Sequence, residues 1–143
     1  MKKIICLLIV ILFVSCNKEI KISFIPEIEF ISIAPLNVQE YSDEITIIIK
    51  YRDQDGDLGD NNPEIHNLFV LDNRNEIEYK FRIPRLSPSG SQIAIEGNFN
   101  IKINGSGITN GLTSQQVNYD IYVVDRSGNV SNLVTTSDIT IYQ

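Results

Sequence analysis

Hydrophobic and polar residues alternate with period two over most of the chain after Pro35, and that period selects strands over helices. In EITIIIKYR, Ile45, Ile47, Ile49 and Tyr51 face one way, while Thr46, Lys50 and Arg52 face the other. In EIEYKFRI, Ile77, Tyr79, Phe81 and Ile83 oppose Glu76, Glu78, Lys80 and Arg82. In QIAIEGNFNIKI, Ile93, Ile95, Phe99, Ile101 and Ile103 oppose Glu96, Asn98, Asn100 and Lys102, with Gly97 predicted to mark a bulge or bend. Each such strand has one dry face and one wet face, the mark of antiparallel sheets. Further strands are predicted at 27–33, 67–71, 116–125 and 131–142. Between them lie turn-forming stretches: DNRN at 72–75 as a hairpin connection, LSPSG at 86–90 as a loop, and NGSGITNGLTS at 104–114 as a longer crossover. About seven strands with no amphipathic helix predict an all-β fold, a single antiparallel β-sandwich over 27–143, with a small β-barrel as the alternative. The immunoglobulin-like Greek key is the commonest such sandwich, although the core disulfide and tryptophan of antibody domains are absent here.

The N-terminus follows a different pattern. Lys2 and Lys3 precede eleven apolar residues, Ile4 to Val14, and then the small Ser15 before Cys16. This three-part organisation predicts a signal peptide over 1–15. Crossing a bilayer core takes roughly 20 apolar residues, so the run is too short for a membrane anchor. Phe13-Val14-Ser15-Cys16 resembles the lipobox of bacterial lipoproteins, with Phe13 where leucine is more usual. The resemblance implies lipidation of Cys16 as the first mature residue and a tether over 16–26. Several acyl chains on one residue would anchor the protein stably. Asn17 after the cysteine is similar to lipoproteins sent to the outer membrane, and Lys18-Glu19 resembles the charged tether of those exported to the cell surface.

Cysteine usage and charge fit an extracytoplasmic domain. Cys6 leaves with the signal and Cys16 is taken by lipid, so no disulfide is expected and the core must hold the fold. Loss of Lys2 and Lys3 takes the formal charge from −6 to −8, and no Lys/Arg cluster offsets it. Nucleic acid is therefore excluded as a partner class.

The densest chemistry lies in YRDQDGDLGDNNPE, residues 51–64. Counting Asp53 as position 1, carboxylates fall at 1, 3, 5 and 8, with Glu64 at 12 and the Gly59 carbonyl at 7. Alternate residues of a tight loop can point inward together, and Ca²⁺ takes six to eight oxygens. The predicted metal ligands are Asp53, Asp55, Asp57, Gly59 and Glu64, around a structural Ca²⁺, with Asp60 facing water. Leu58 stands where an EF-hand requires glycine, and strands flank the loop, so the match is to a generic aspartate-rich calcium loop. A solvated acidic turn is the alternative reading.

Asp125-Arg126-Ser127-Gly128-Asn129 resembles the turn between the last two strands of immunoglobulin-like and fibronectin-III-like modules, where Gly128 supplies a positive φ without steric cost. With the aspartate loop, the chain is similar to small bacterial outer-membrane lipoproteins of uncharacterised function that carry one such domain. In that topology the aspartate loop and this hairpin share one end, where Asp125 or Asn129 can complete the coordination.

Catalysis is not expected. His66 is the only histidine, and no GxSxG-type signature places a nucleophile. Glu27/Glu29 and Glu76/Glu78 sit on wet faces. The expected function is a non-enzymatic, lipid-anchored module of the outer membrane that binds or scaffolds another extracytoplasmic component, a protein or a glycan at the surface. The alternatives are a glycan-binding module using Tyr122 and Tyr142 as a stacking platform, and a metal-dependent hydrolase using Asp53, Asp55 or Glu64.

Overall fold

The computed structural model describes residues 23–143. The predicted signal peptide, Cys16 and the first part of the tether lie outside the described residues. Ten strands follow in order: β1 (Glu27–Ala34), β2 (Asn37–Gln39), β3 (Glu44–Asp53), β4 (Leu68–Asp72), β5 (Ile77–Phe81), β6 (Ile95–Asn104), β7 (Ser114–Val117), β8 (Tyr119–Val123), β9 (Val134–Thr135) and β10 (Ile139–Tyr142). They form sheets of order β1-β3-β6, β5-β4-β8-β9 and β2-β10-β7, none closed into a barrel. The fold is an all-β sandwich, antiparallel except where β10 runs parallel to β2.

The last two sheets are halves of one layer, because β7 and β8 are parted only by Asn118, and β9 and β10 only by residues 136–138. The two interruptions fall at the same level. Tyr119 donates its N–H to Thr136 Oγ1 at 3.1 Å, and Thr136 returns its own N–H to the Tyr119 carbonyl at 2.9 Å. Asn118 fixes the bend through Nδ2 to Asp138 Oδ1 at 2.7 Å, while its Oδ1 accepts from Asn73 Nδ2 at 2.8 Å. The runs predicted as single strands at 116–125 and 131–142 are therefore each two, because side chains and turn amides here take over the ladder bonds. This interruption, together with the three-residue β2, explains why ten strands stand where about seven were expected.

Alternation sets the core. Ile45, Ile47, Ile49 and Tyr51 of β3 all point inward and meet Ile101 and Ile103 of β6, Val70 of β4, and Ile121 and Val123 of β8. In β1 a bulge between Phe30 and Ser32 shifts the register, which leaves Ile31 exposed and returns Ile33 to the core.

Gly97 is not a bulge. The β3–β6 ladder runs without a shift from Glu44 opposite Asn104 to Asp53 opposite Ile95. Gly97 faces Tyr51, and a Cβ there would stand 2.7 Å from the phenol oxygen. The missing side chain makes room for the Tyr51 ring, which stacks on Phe99 with centroids 4.3 Å apart. Two predicted core positions are also exposed. Ile77 begins edge strand β5, whose inner face is only half covered, and Ile93 lies in the coil before β6.

Candidate metal centre

The site begins as a continuation of a strand. Asp53 is the last residue of β3 and shares the parity of Ile45, Ile47, Ile49 and Tyr51, so it points into the core and is 1 % exposed. A buried carboxylate needs partners, and Asp53 has one: its Oδ2 accepts the Leu58 N–H at 2.7 Å. That bond folds the loop back on itself. Leu58, fully buried, then plugs the loop into the core, an anchor that the polarity of the surrounding stretch concealed.

Two glycines let the loop pass beneath its neighbours. Gly56 and Gly59 have φ of +71° and +84°. A Cβ on Gly56 would overlap the Ile93 carbonyl oxygen, and one on Gly59 would overlap that of Pro84. The Ser87 hydroxyl donates to the Gly56 carbonyl and completes this side of the cradle.

The β8–β9 hairpin closes the other side. Gly128 adopts the expected positive φ, at +86°. Arg126 donates Nη1 to the Gly59 carbonyl at 2.7 Å and its backbone N–H to the Asp57 carbonyl at 3.3 Å. Ser127 Oγ donates to Asp57 Oδ2 at 2.6 Å. Sequence reasoning singled out this hairpin for Gly128 and missed Arg126 and Ser127, which carry the contact. Their signal is faint, since a cation and a hydroxyl at a turn are ordinary residues.

Asp53, Asp55 and Asp57 converge, with one oxygen from each lying within 4.8 Å of the others. In all three, Oδ1 is buried and has no hydrogen-bond partner. Like charges about 5 Å apart repel by about 3 kcal/mol per pair at an effective dielectric of ~20. Burial pushes the Asp55 carboxyl up to about 6, assisted by the adjacent Asp53 carboxylate and the charge of Asp57. Burial also raises Asp57, against the lowering effect of the Ser127 hydroxyl bond. An acidic group held this way, with the second oxygens of Asp53 and Asp57 tied to the protein and the first oxygens of all three buried without a partner, can hold a metal ion.

The other predicted ligands are not in the group. The Gly59 carbonyl is taken by Arg126. Glu64 is exposed beyond the Asn62-Pro63 turn, and its N–H binds Asn62 Oδ1 at 3.0 Å. Asp60 Oδ1 accepts the Asn62 N–H at 2.7 Å. Asp125 is consumed within its own turn, accepting the Asn129 N–H and Nδ2, both at 2.8 Å, while Asn129 Nδ2 also reaches the Phe24 carbonyl. His66 is exposed and outside the acidic group.

Tyr122 and Tyr142 do not form a shared platform. Tyr122 on β8 stacks on Phe69 with centroids 4.8 Å apart and donates its hydroxyl to Glu78 at 2.8 Å. Tyr142 stands on β10 opposite Ser114, in the other half of the layer. Comparison of the chain with protein-family models, curated proteins and solved structures finds no match.

Proposed function

We propose that this chain is a non-enzymatic, lipid-anchored module of the bacterial outer membrane. In this reading an immunoglobulin-like sandwich is pinned at one end by a structural Ca²⁺ and serves to bind or scaffold another extracytoplasmic component. The observation that carries the metal assignment is the set of three buried, unpartnered Oδ1 atoms of Asp53, Asp55 and Asp57. Hard carboxylate oxygens with neither imidazole nor thiolate suit Ca²⁺ or Mg²⁺, and Ca²⁺ tolerates the irregular geometry of a loop better. The sheet order β1-β3-β6 against β5-β4-β8-β9, with β2 parallel to β10, supports the immunoglobulin-like reading. Anchoring through Cys16 rests on the lipobox resemblance alone.

Thermal unfolding tests the metal. At millimolar Ca²⁺ and a dissociation constant of about 10 to 100 μM, binding would stabilise the fold by roughly 1.4 to 2.7 kcal/mol. For a domain of this size that corresponds to a rise in melting temperature of about 5 to 10 °C over the EDTA-treated protein. The triple variant Asp53→Asn, Asp55→Asn, Asp57→Asn should lose that response yet melt above the wild type in EDTA, because the mutual repulsion is gone. A wild-type melt indifferent to Ca²⁺ would sink the assignment. Ser127→Ala should weaken Ca²⁺ binding about fivefold by isothermal titration, as Asp57 loses the bond that orients it, worth about 1 kcal/mol. Incorporation of labelled palmitate, lost in Cys16→Ser, is the check on the anchor.

A further inference from the structure

We infer that β6 is a self-pairing edge, through which two copies of this chain join into one continuous six-stranded sheet, β1-β3-β6 against β6-β3-β1. Among the described residues, β6 pairs with β3 over all ten of its residues and has no neighbour on its other side. No backbone group outside β3 bonds to it within that same set. A straight edge of ten residues spans about 33 Å of unpaired N–H and C=O groups, which invites another strand unless it is blocked.

Of the usual blocks, β6 carries two charged side chains, Glu96 and Lys102, but lacks those that act on the backbone itself, which are present elsewhere. β6 contains no proline and its ladder has no register shift. The outer edge of β1, by contrast, is capped by Asn132, whose Oδ1 accepts the Ile28 N–H and whose Nδ2 donates to the Ile28 carbonyl, both at 2.8 Å. β2 and β7 are only three and four residues long, and β5 only five.

The sequence of β6 is complementary to itself in one orientation. An antiparallel pairing centred on Phe99 sets Glu96 opposite Lys102 of the second copy, Asn98 opposite Asn100, and Phe99 against itself. A parallel pairing would stack Glu96 on Glu96 and Lys102 on Lys102, like charges that repel across strands. Within one copy Glu96 already lies 3.6 Å from Lys50 and 3.4 Å from Arg52, and Lys102 lies 2.8 Å from Glu44. The second copy therefore extends an alternating row of charge on the wet face.

The dry face fits the same partner. A groove of about 270 Å³ opens along the seam between β6 and the chain leaving β5, lined by the apolar Leu68, Phe81, Ile83, Pro84, Phe99 and Ile101 and by the polar Arg82, Asn100 and Lys102. Phe99 is only half-buried there, and pairing about Phe99 brings the second Phe99 to this seam. The interface is isologous, with its two-fold axis perpendicular to the sheet at Phe99.

Cysteine cross-linking of the full chain in the membranes of expressing cells tests this. Asn98 and Asn100 both face solvent, so Asn98→Cys and Asn100→Cys leave the core untouched. Directly opposed antiparallel residues have Cα atoms about 4.5 to 5.5 Å apart, inside the range for a disulfide. Co-expression of the two variants under different tags should give a mixed-tag disulfide dimer about tenfold above either variant alone, with the unmodified chain setting the background from Cys6 and Cys16. Lys102→Glu, placed in both chains, should abolish that dimer by opposing two glutamates, and Glu96→Lys with Lys102→Glu should restore it. A mixed-tag yield at background overturns the inference. So does equal cross-linking from either variant alone, capture of a different protein by the Asn98→Cys variant, or a Lys102→Glu yield that the charge swap does not rescue.

Discussion

Replacing Arg74 by methionine is expected to destabilise the fold by about 3 to 5 kcal/mol, the largest loss among the substitutions considered, because it strands a carboxylate in the core. Asp72 is fully buried at the end of β4, and Arg74 meets it through Nε at 2.9 Å and Nη2 at 2.6 Å. The same guanidinium donates to the Gly107 carbonyl at 2.9 Å and to Ser106 Oγ at 3.3 Å, so it ties the β4–β5 turn to the long crossover after β6. Methionine keeps the aliphatic stem and removes every one of these donors. Chemical denaturation should therefore show a lower midpoint with an unchanged slope. The double variant Asp72→Leu, Arg74→Met should recover most of the loss, since a buried pair exchanged for apolar groups of similar volume leaves no orphan charge. Equal losses in the single and double variants would show that packing, and not the ion pair, holds this end.

Gly59→Ala carries the second-largest expected effect, roughly 2 to 4 kcal/mol, from two causes acting together. At φ +84° an L side chain is strained, and its Cβ would overlap a backbone oxygen that no rotamer change can move. The loop must lift from the 83–84 backbone, which disturbs the Gly59 carbonyl that Arg126 grips and, through Arg126 and Ser127, the position of Asp57. The rise in melting temperature proposed for added Ca²⁺ should shrink along with the stability. Gly128→Ala isolates the first cause: its φ is +86° but nothing lies within 4 Å of the added carbon, so the loss should stay near ~1 kcal/mol. Similar losses at the two glycines would refute the crowding account.

What could be seen in advance divides along physical lines. The inward face of β3 was legible because four consecutive apolar positions at period two admit one burial pattern. That same period, carried one step past Tyr51, points Asp53 inward, so the heart of the acidic group was already encoded in a strand. Asp55 and Asp57 keep the parity across a loop closed by the Leu58 N–H. Glu64 does not belong, because Asn62 and Pro63 turn the chain outward, and an offset counted along the sequence is blind to such a turn. The sheet switch at Asn118 was illegible for another reason: QVNYDIYVV alternates without a break, and only the hydrogen bonds to Thr136, Asp138 and Asn73 end one ladder and start the next. Asp72 and Arg74 were read as hairpin punctuation. The parity of Asp72 with Leu68 and Val70 was the available signal, but a buried pair shows itself only when both partners and their carbonyl acceptors are placed.

The way the N-terminal segment enters the domain has a mechanical consequence. Ser23 reaches Gln54, Phe24 is held by Asn129, and β1 then runs antiparallel along β3 from Arg52 inward. Tension drawn outward from the chain's beginning would pull β1 lengthwise, loading its ladder in shear, so that its cross-strand bonds share the force instead of parting one by one. The two bonds from Asn132 to Ile28 lie across the same path. A domain tethered by its first residues would thus meet drag or tugging with its strongest axis, and the acidic loop, joined to that entry point through Gln54, would be the first part of the fold to feel the load.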